Sequence, residues 1–175
     1  MNITIHRYYL DKYLYQTSFY GKVLDVGGKK VGKRGAFRPP DEKCECWHYV
    51  NTDSSTNPDY CCNAESVPVD GGTYDNVVMC ELLEHVEYPE KVLKEAARLL
   101  KQGGKIIISI PFLFPYHPDP NDFQRWTKEK IVKEMKSAGF SEINISNMGG
   151  VGSVVHDILY CSVLKMKRLR ILGMA

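Results

Sequence analysis

Five short runs of apolar residues alternate with longer stretches of mixed polarity, and this pattern sets the order of elements. KVLDV (22–26), WHYVNTD (47–53), YDNVVMC (74–80), KIIISI (105–110) and EINIS (142–146) have the length and β-branched content of buried strands. Between them, helical spacing predicts a leading helix in the tyrosine-rich 6–19. A second helix in YPEKVLKEAARLLKQGG puts Val92, Leu93, Ala96, Leu99 and Leu100 on one face, with Gly103 as its left-handed stop. Thr127 is placed to cap a third helix, with Ile131, Val132, Met135 and Ala138 inward and Gly139 as its end. A last helix over 153–170 aligns Val154, Ile158, Cys161 and Leu164, and carries Lys165, Lys167, Arg168 and Arg170 at its end.

Two segments carry no period. From Lys29 to Cys46, Gly32, Gly35, Pro39 and Pro40 interrupt any helix. PFLFPYHPDPNDFQRW, with four prolines, reads as a long ordered loop. Strands separated by helices predict an α/β domain with a mostly parallel sheet, in which ligands bind at the carboxyl ends of the strands. The loops after Val26, Asp53, Cys80 and Ile110 therefore share one edge, and function is expected there.

Composition narrows the class. With 175 residues, 43% hydrophobic and 25% charged, the chain suits a single domain: a leading helix over 1–20, a core over 21–146 and a helical extension over 147–175. A net charge of +2 does not mark a nucleic-acid binder, and the basic runs at 29–34 and 165–170 read as solvated faces. Basic residues beside apolar ones in the last helix also allow weak membrane-surface association, although a helix packed on the sheet is the simpler expectation. There is no apolar stretch of membrane-spanning length, and MNITIHRYYLDK lacks signal-peptide order. A cytoplasmic protein with six reduced cysteines, monomeric or homodimeric, is the expectation. Cys44-x-Cys46 and Cys61-Cys62 lack the paired C-x-x-C spacing of a zinc site, so no metal is expected.

The stretch VLDVGGKKVGKRG allows two chemistries. From Gly27 it approaches a P-loop, but Arg34 follows Lys33 where Ser or Thr is needed, and Gly35, Pro39 and Pro40 break the required helix. The dinucleotide fingerprint fails at Lys29, which replaces its middle glycine. A strand, an acidic residue and a two-glycine turn remain. They suit a ligand whose amino and carboxylate groups meet Asp25 and the turn amides.

Read together, Asn63-Ala64-Glu65-Ser66-Val67-Pro68, Tyr74-Asp75-Asn76-Val77, Leu83-Glu84-His85-Val86 and Leu100-Lys101-Gln102-Gly103-Gly104 resemble, in order, the motifs of the seven-stranded, Rossmann-like class I S-adenosylmethionine-dependent methyltransferases. The resemblance spans about residues 20 to 146. It implies S-adenosylmethionine as cofactor, with Asp25, Gly27 and Gly28 around its methionine end and Asp53 on the ribose hydroxyls. Asn63 and Ala64 are then at the adenine, with Cys80, Glu81 and Leu82 along the floor. The sequence departs from the family at Lys29, at Asn63 in place of Asp, and in the missing helix between the first two strands. It also departs at the C-terminus, where the family's β-hairpin is either lacking or modified.

The loop HPDPNDFQRWT resembles a subgroup found with polysaccharide or cell-envelope biosynthesis, implying a small-molecule acceptor with a sugar or saccharide-linked hydroxyl or amine. Methylation of a hydroxyl gains from a general base, and His117 is the first candidate, with Asp119 or Asp122 as its orienter. Arg125 clamps either an anionic acceptor or the loop itself. His85 is a further catalytic candidate. The alternatives are a binding module that keeps the fold without turnover and a partner-dependent domain.

Overall fold

The computed structural model describes residues 4–40 and 42–171, with side chains through Val163; Leu164 and the basic side chains after it lie outside that range. The elements in chain order are α1 (Ile5–Gln16), β1 (Gly21–Val26), β2 (Cys44–Val50), β3 (Tyr74–Cys80), α2 (Pro89–Leu99), β4 (Leu100–Ser109), α3 (Lys128–Ser137) and α4 (Val151–Ile171). Single 3-10 turns occupy Ser54–Thr56 and Leu83–His85. The four strands pair in the order β2-β1-β3-β4, all parallel. This is the expected Rossmann-like α/β sheet, with four strands among the described residues rather than seven.

Parallel strands covered on both faces become apolar throughout, which explains the unbroken runs in the sequence. On one face Leu24, Val26, Val77 and Met79 pack with Val92, Leu93, Ala96 and Leu99 of α2 and Ile131 and Met135 of α3. On the other, Val23 and Val78 meet Leu10 and Leu14 of α1, with Phe19, Phe37 and Trp47 beside them. The face left bare by the missing helix is thus covered by α1 and by Phe37 of the glycine- and proline-rich loop.

That loop is fastened to α1 by polar contacts. The buried Asp11 accepts from the Ala36 N–H at 2.6 Å and pairs with Arg7 at 3.2 Å, and Arg7 also donates to the Arg34 carbonyl at 2.8 Å. Gly35 lies at φ +72°, and a Cβ there would collide with Arg7 and Asp11. The hydroxyl of Tyr15 donates to the Ala36 carbonyl at 2.6 Å.

Several expectations are corrected. β2 runs from Cys44 to Val50, three residues earlier than predicted, because Cys44 already pairs with Gly21 and packs in the α1-side cluster. Gly103, at φ +76°, does not stop α2. The helix ends at Leu99, and the glycine serves a bulge where β4 passes from pairing Leu100 with Tyr74 to pairing Lys105 with Asn76. EINIS forms no strand: Ile143 packs against the core, but Ile145 is 41% exposed and no ladder forms with β4. Thr127 does cap α3, accepting from the Lys130 N–H at 3.3 Å.

The helix α4 packs on α1 rather than on the sheet. Ile158 is exposed, and among the described side chains of α4 the buried one is Asp157, whose oxygens accept from the Ile5 and His6 N–H groups at 2.9 and 3.0 Å. A carboxylate from the far end of the chain thereby caps the first helix.

Candidate functional site at the carboxyl edge

Because all four strands run the same way, the chain leaves each of them at one edge. Gly27 turns the chain at φ +82°, donates to the Val50 carbonyl at 2.8 Å, and has Leu82 so near that a Cβ would meet it at 2.9 Å. Asn51 fixes the turn by donating to the carbonyls of Gly27 and Gly28 at 3.2 and 3.0 Å. Its neighbours on the next strand's exit thus hold the glycines in place.

The carboxylate of Asp25 folds into the space above Gly28, where a Cβ would collide with it. Burial pushes its pKa up to about 6, against the pull of Trp47, Lys33 and Arg7. Cys80 follows on the adjacent strand, its thiol pushed up by burial and by the Asp25 and Glu81 carboxylates, so it stays neutral.

Glu81 adopts φ +53°, a left-handed conformation that costs a non-glycine residue about 1 kcal/mol. Its N–H donates to the Ser109 carbonyl at 3.0 Å and its carboxylate accepts from the Ser109 hydroxyl at 2.6 Å. The other oxygen lies 3.0 Å from His6 Nε2 of α1. Although burial opposes it, this pairing with His6 and the Ser109 hydroxyl hold the Glu81 carboxyl below its usual range, and the pKa of His6 is correspondingly raised. The leading helix therefore reaches the ligand edge.

The outer part of the edge is more open. Asp53 is exposed and caps the Ser54–Thr56 turn, accepting from the Ser55 N–H and hydroxyl at 3.0 and 2.6 Å. Asn63 is exposed, with its amide oxygen on the Glu65 N–H at 3.0 Å, and Ala64 packs partly on the main core.

On the far side, the 111–127 segment lies over residues 83–86. The Phe123 N–H donates to the Glu84 carbonyl at 2.8 Å, and Gln124 donates to the carbonyls of Leu83 and Val86 at 3.1 and 3.0 Å. Asp122 forms a two-pronged pair with Arg125 and accepts from the His117 backbone N–H at 2.9 Å. The guanidinium holds its carboxyl far below the usual range. Arg125 also donates to the carbonyls of Phe114 and Gln124, so its guanidinium secures the segment. The His117 ring is set by the Pro115 carbonyl, 2.9 Å from Nδ1, with Asp122 farther at 3.5 Å. Asp119 pairs instead with Arg34, at 2.6 Å. Trp126 is core.

Beneath His117 lies a group the sequence reading passed over. Glu84 is completely buried, neither of its carboxylate oxygens accepts a hydrogen bond, and burial and the Glu81 charge push its pKa up to about 8. His85 donates from Nδ1 to the Asn121 carbonyl, 2.5 Å away, and its ring stands at 81° to that of His117, centroids 5.1 Å apart. The structure thus brings His85, His117 and Glu84 together, but spends Asp122 on the backbone and Arg125. Asn51, His6, Ser109 and Glu84 are the site residues missed. An acid inside an apolar stretch was the signal for Glu84; His6 and Ser109 had none.

Residues 42–108 match a family profile described as a methyltransferase domain. A mitochondrial 2-methoxy-6-polyprenyl-1,4-benzoquinol methylase of Caenorhabditis elegans is 34% identical over 86 residues, 49% of this chain and 25% of the relative. A ubiquinone biosynthesis O-methyltransferase of Xanthomonas oryzae pv. oryzae is 47% identical over 38 residues, 22% of this chain and 16% of the relative. The chain spans less than half the length of such relatives. In fold it is similar to phosphoethanolamine N-methyltransferase 2 of Haemonchus contortus in complex with S-adenosyl-L-methionine, with a TM-score of 0.65, 18% identity, and coverage of 95% of this chain and 44% of that one. A SAM-dependent methyltransferase of Thermotoga maritima gives a TM-score of 0.57 at 20% identity, covering 79% of this chain and 74% of that one.

Proposed function

We propose that this chain binds S-adenosylmethionine across the Gly27-Gly28 turn and transfers its methyl group to a small molecule entering beside His117. The observation that carries the reading is the half-buried Asp25 carboxylate, set against a glycine turn with no Cβ in the way. A carboxylate so desolvated calls for a cation, and the ligand's ammonium group supplies one; the turn amides suit its carboxylate. The methyltransferase-domain match over 42–108 and the likeness to a cofactor-bound methyltransferase fold support the same assignment. Asp53, with its second oxygen turned to solvent, serves the ribose hydroxyls, and Asn63 and Ala64 border the adenine. Cys80, Glu81 and Leu82 form the floor.

When bound, the cofactor would supply an electrophilic sulfonium methyl group for an acceptor oxygen, the electron pair of the broken carbon–sulfur bond remaining on sulfur. The hydroxyl proton must leave, and His117 Nε2, opposite the ring nitrogen held by Pro115, is placed to take it. The likeness to a benzoquinol methylase and to a ubiquinone biosynthesis O-methyltransferase favours a quinol-type hydroxyl over a saccharide as the acceptor. Asp122 acts by positioning the segment, and His85 stands beside His117.

Isothermal titration with S-adenosylhomocysteine tests the assignment. One site per chain is expected, weakened at least about tenfold by Gly28→Ala, whose methyl would displace Asp25. No heat at about 100 μM ligand would remove the cofactor from the reading.

A further inference from the structure

We propose that Glu84, His85 and His117 form a binding site for one divalent transition-metal ion of the Zn²⁺ type. One ligand atom from each residue lies within 4.8 Å of the other two, and this is the one such group among the described residues. Donors sharing an ion at about 2.0–2.2 Å stand roughly 3.3 Å apart, so side-chain adjustments of about 1 Å would close the site.

Three independent features favour an ion over mere packing. Glu84 has no exposed surface and no hydrogen-bond donor on either oxygen, while His85 Nε2 stands 3.7 Å from one of them. Neither oxygen of this buried acid has a protein partner, and a cation that displaced its proton would supply one. The two rings are also oriented as ligands usually are. Nδ1 of His85 faces the Asn121 carbonyl and Nδ1 of His117 the Pro115 carbonyl, which leaves Nε2 of each ring as the lone-pair donor. Finally, the segments that carry the three residues are tied together by the Phe123 N–H on the Glu84 carbonyl and the Gln124 side-chain amide on the Leu83 carbonyl, which limits the reorganisation binding demands.

Two imidazoles and one carboxylate suit zinc, cobalt or iron better than magnesium, which prefers an all-oxygen shell. Three protein ligands also leave a position open. His117 is 30% exposed and Glu84 buried beneath it, so the open position faces outward, toward the entering acceptor. With an ion bound, positive charge there would lower the pKa of an acceptor hydroxyl so that its proton could leave to water, and His117 would serve as ligand; without the ion His117 keeps the role of base. That last role rests on the methyl-transfer reading; the ion site does not.

The full chain, stripped with chelator, is titrated with CoCl₂ and ZnCl₂ and followed by cobalt absorption, calorimetry and thermal melting. One ion per chain is expected, with a raised melting temperature, nitrogen–oxygen ligation in the cobalt spectrum, and at least about a tenfold loss of affinity in His117→Ala and in the volume-conserving Glu84→Gln. Circular dichroism checks that both variants are folded. The proposal is overturned by absence of binding at about 100 μM ion, by affinity unchanged in both folded variants, or by thiolate charge-transfer bands, which would place the ion on cysteines. S-adenosylhomocysteine titrated with and without ion separates the readings: cofactor binding without ion binding removes only the metal, and the reverse removes only the cofactor.

Discussion

Asp25 is kept charged at neutral pH at a cost to the fold. Its folded pKa of about 6 lies above the ordinary 3.8, so the folded state holds the proton more tightly than the unfolded one. Stability is therefore highest below pH 4 as far as this group is concerned, and it falls as pH rises from about 4 to 6. The cost reaches about 3 kcal/mol by pH 7. Asp25→Asn should then raise the midpoint of urea unfolding at pH 7, provided the amide finds partners as Trp47 and its neighbours allow. Binding runs the other way, because the ligand's ammonium needs the ionised form. Between pH 7 and pH 5 the ionised fraction drops from about nine-tenths to about one-tenth, and affinity for S-adenosylhomocysteine should fall close to tenfold. Lys33 and Arg7 are the cations acting on Asp25, and Cys80 stays neutral. Titrations at several pH values decide the matter: a slope that persists in Asp25→Asn would assign the dependence to another group. At this scale Asp25, Gly27 and Gly28 were legible because a strand, an acid and two glycines are contiguous. Asn51, His6 and Ser109 were not, because each acquires its partner only when separate elements are brought to one edge.

At the scale of elements, legibility followed the strength of local pattern. β1, β3, α2 and α3 carry their own evidence: compact apolar runs, a 3.6-residue stripe, a cap at Thr127 and a stop at Gly139. EINIS has the alternation of a strand yet pairs with nothing, since a strand is completed by a neighbour and not by its own sequence. The helix α4 was expected, but its inward face was not, because that face is organised around Asp157, a charged residue that apolar patterning assigns to solvent. Its burial is explained by the two N–H groups of α1. Asp157→Ala leaves those donors in a part-buried site without their acceptor and should destabilise the protein by about 1–2 kcal/mol in urea unfolding. Because α1 also carries His6 to Glu81 and Arg7 to Arg34, loosening its first turn should weaken cofactor binding as well. A variant with full stability would show that the α4 contact is incidental to α1.

Over the whole molecule, the missing helix becomes a matter of how the edge is closed. The segment after Gly28 is held from three sides. α1 grips it through Asp11 and Tyr15, the β2 side through the Val31 N–H on the Thr56 carbonyl at 2.9 Å, and the acceptor-side segment through Arg34 on Asp119. Only the last of these crosses from the proposed cofactor side to the acceptor side. Arg34 and Asp119 are both more than a third exposed, so their pair adds no more than about 1 kcal/mol to stability and is screened by salt. Its consequence lies in closure: a contact that links two loops over a ligand contributes to holding the ligand rather than to folding. Arg34→Glu should therefore leave thermal stability nearly unchanged while speeding ligand dissociation several-fold, and raised salt should reproduce part of that effect in the wild type. Restoring the pair in reverse, with Asp119→Arg added to Arg34→Glu, should recover slow dissociation, measured by stopped-flow with S-adenosylhomocysteine. Recovery in the double variant would separate the bridge from any private role of either residue. Additive losses would instead mean that each side chain meets the ligand or its own loop independently, and that the edge stays open between them.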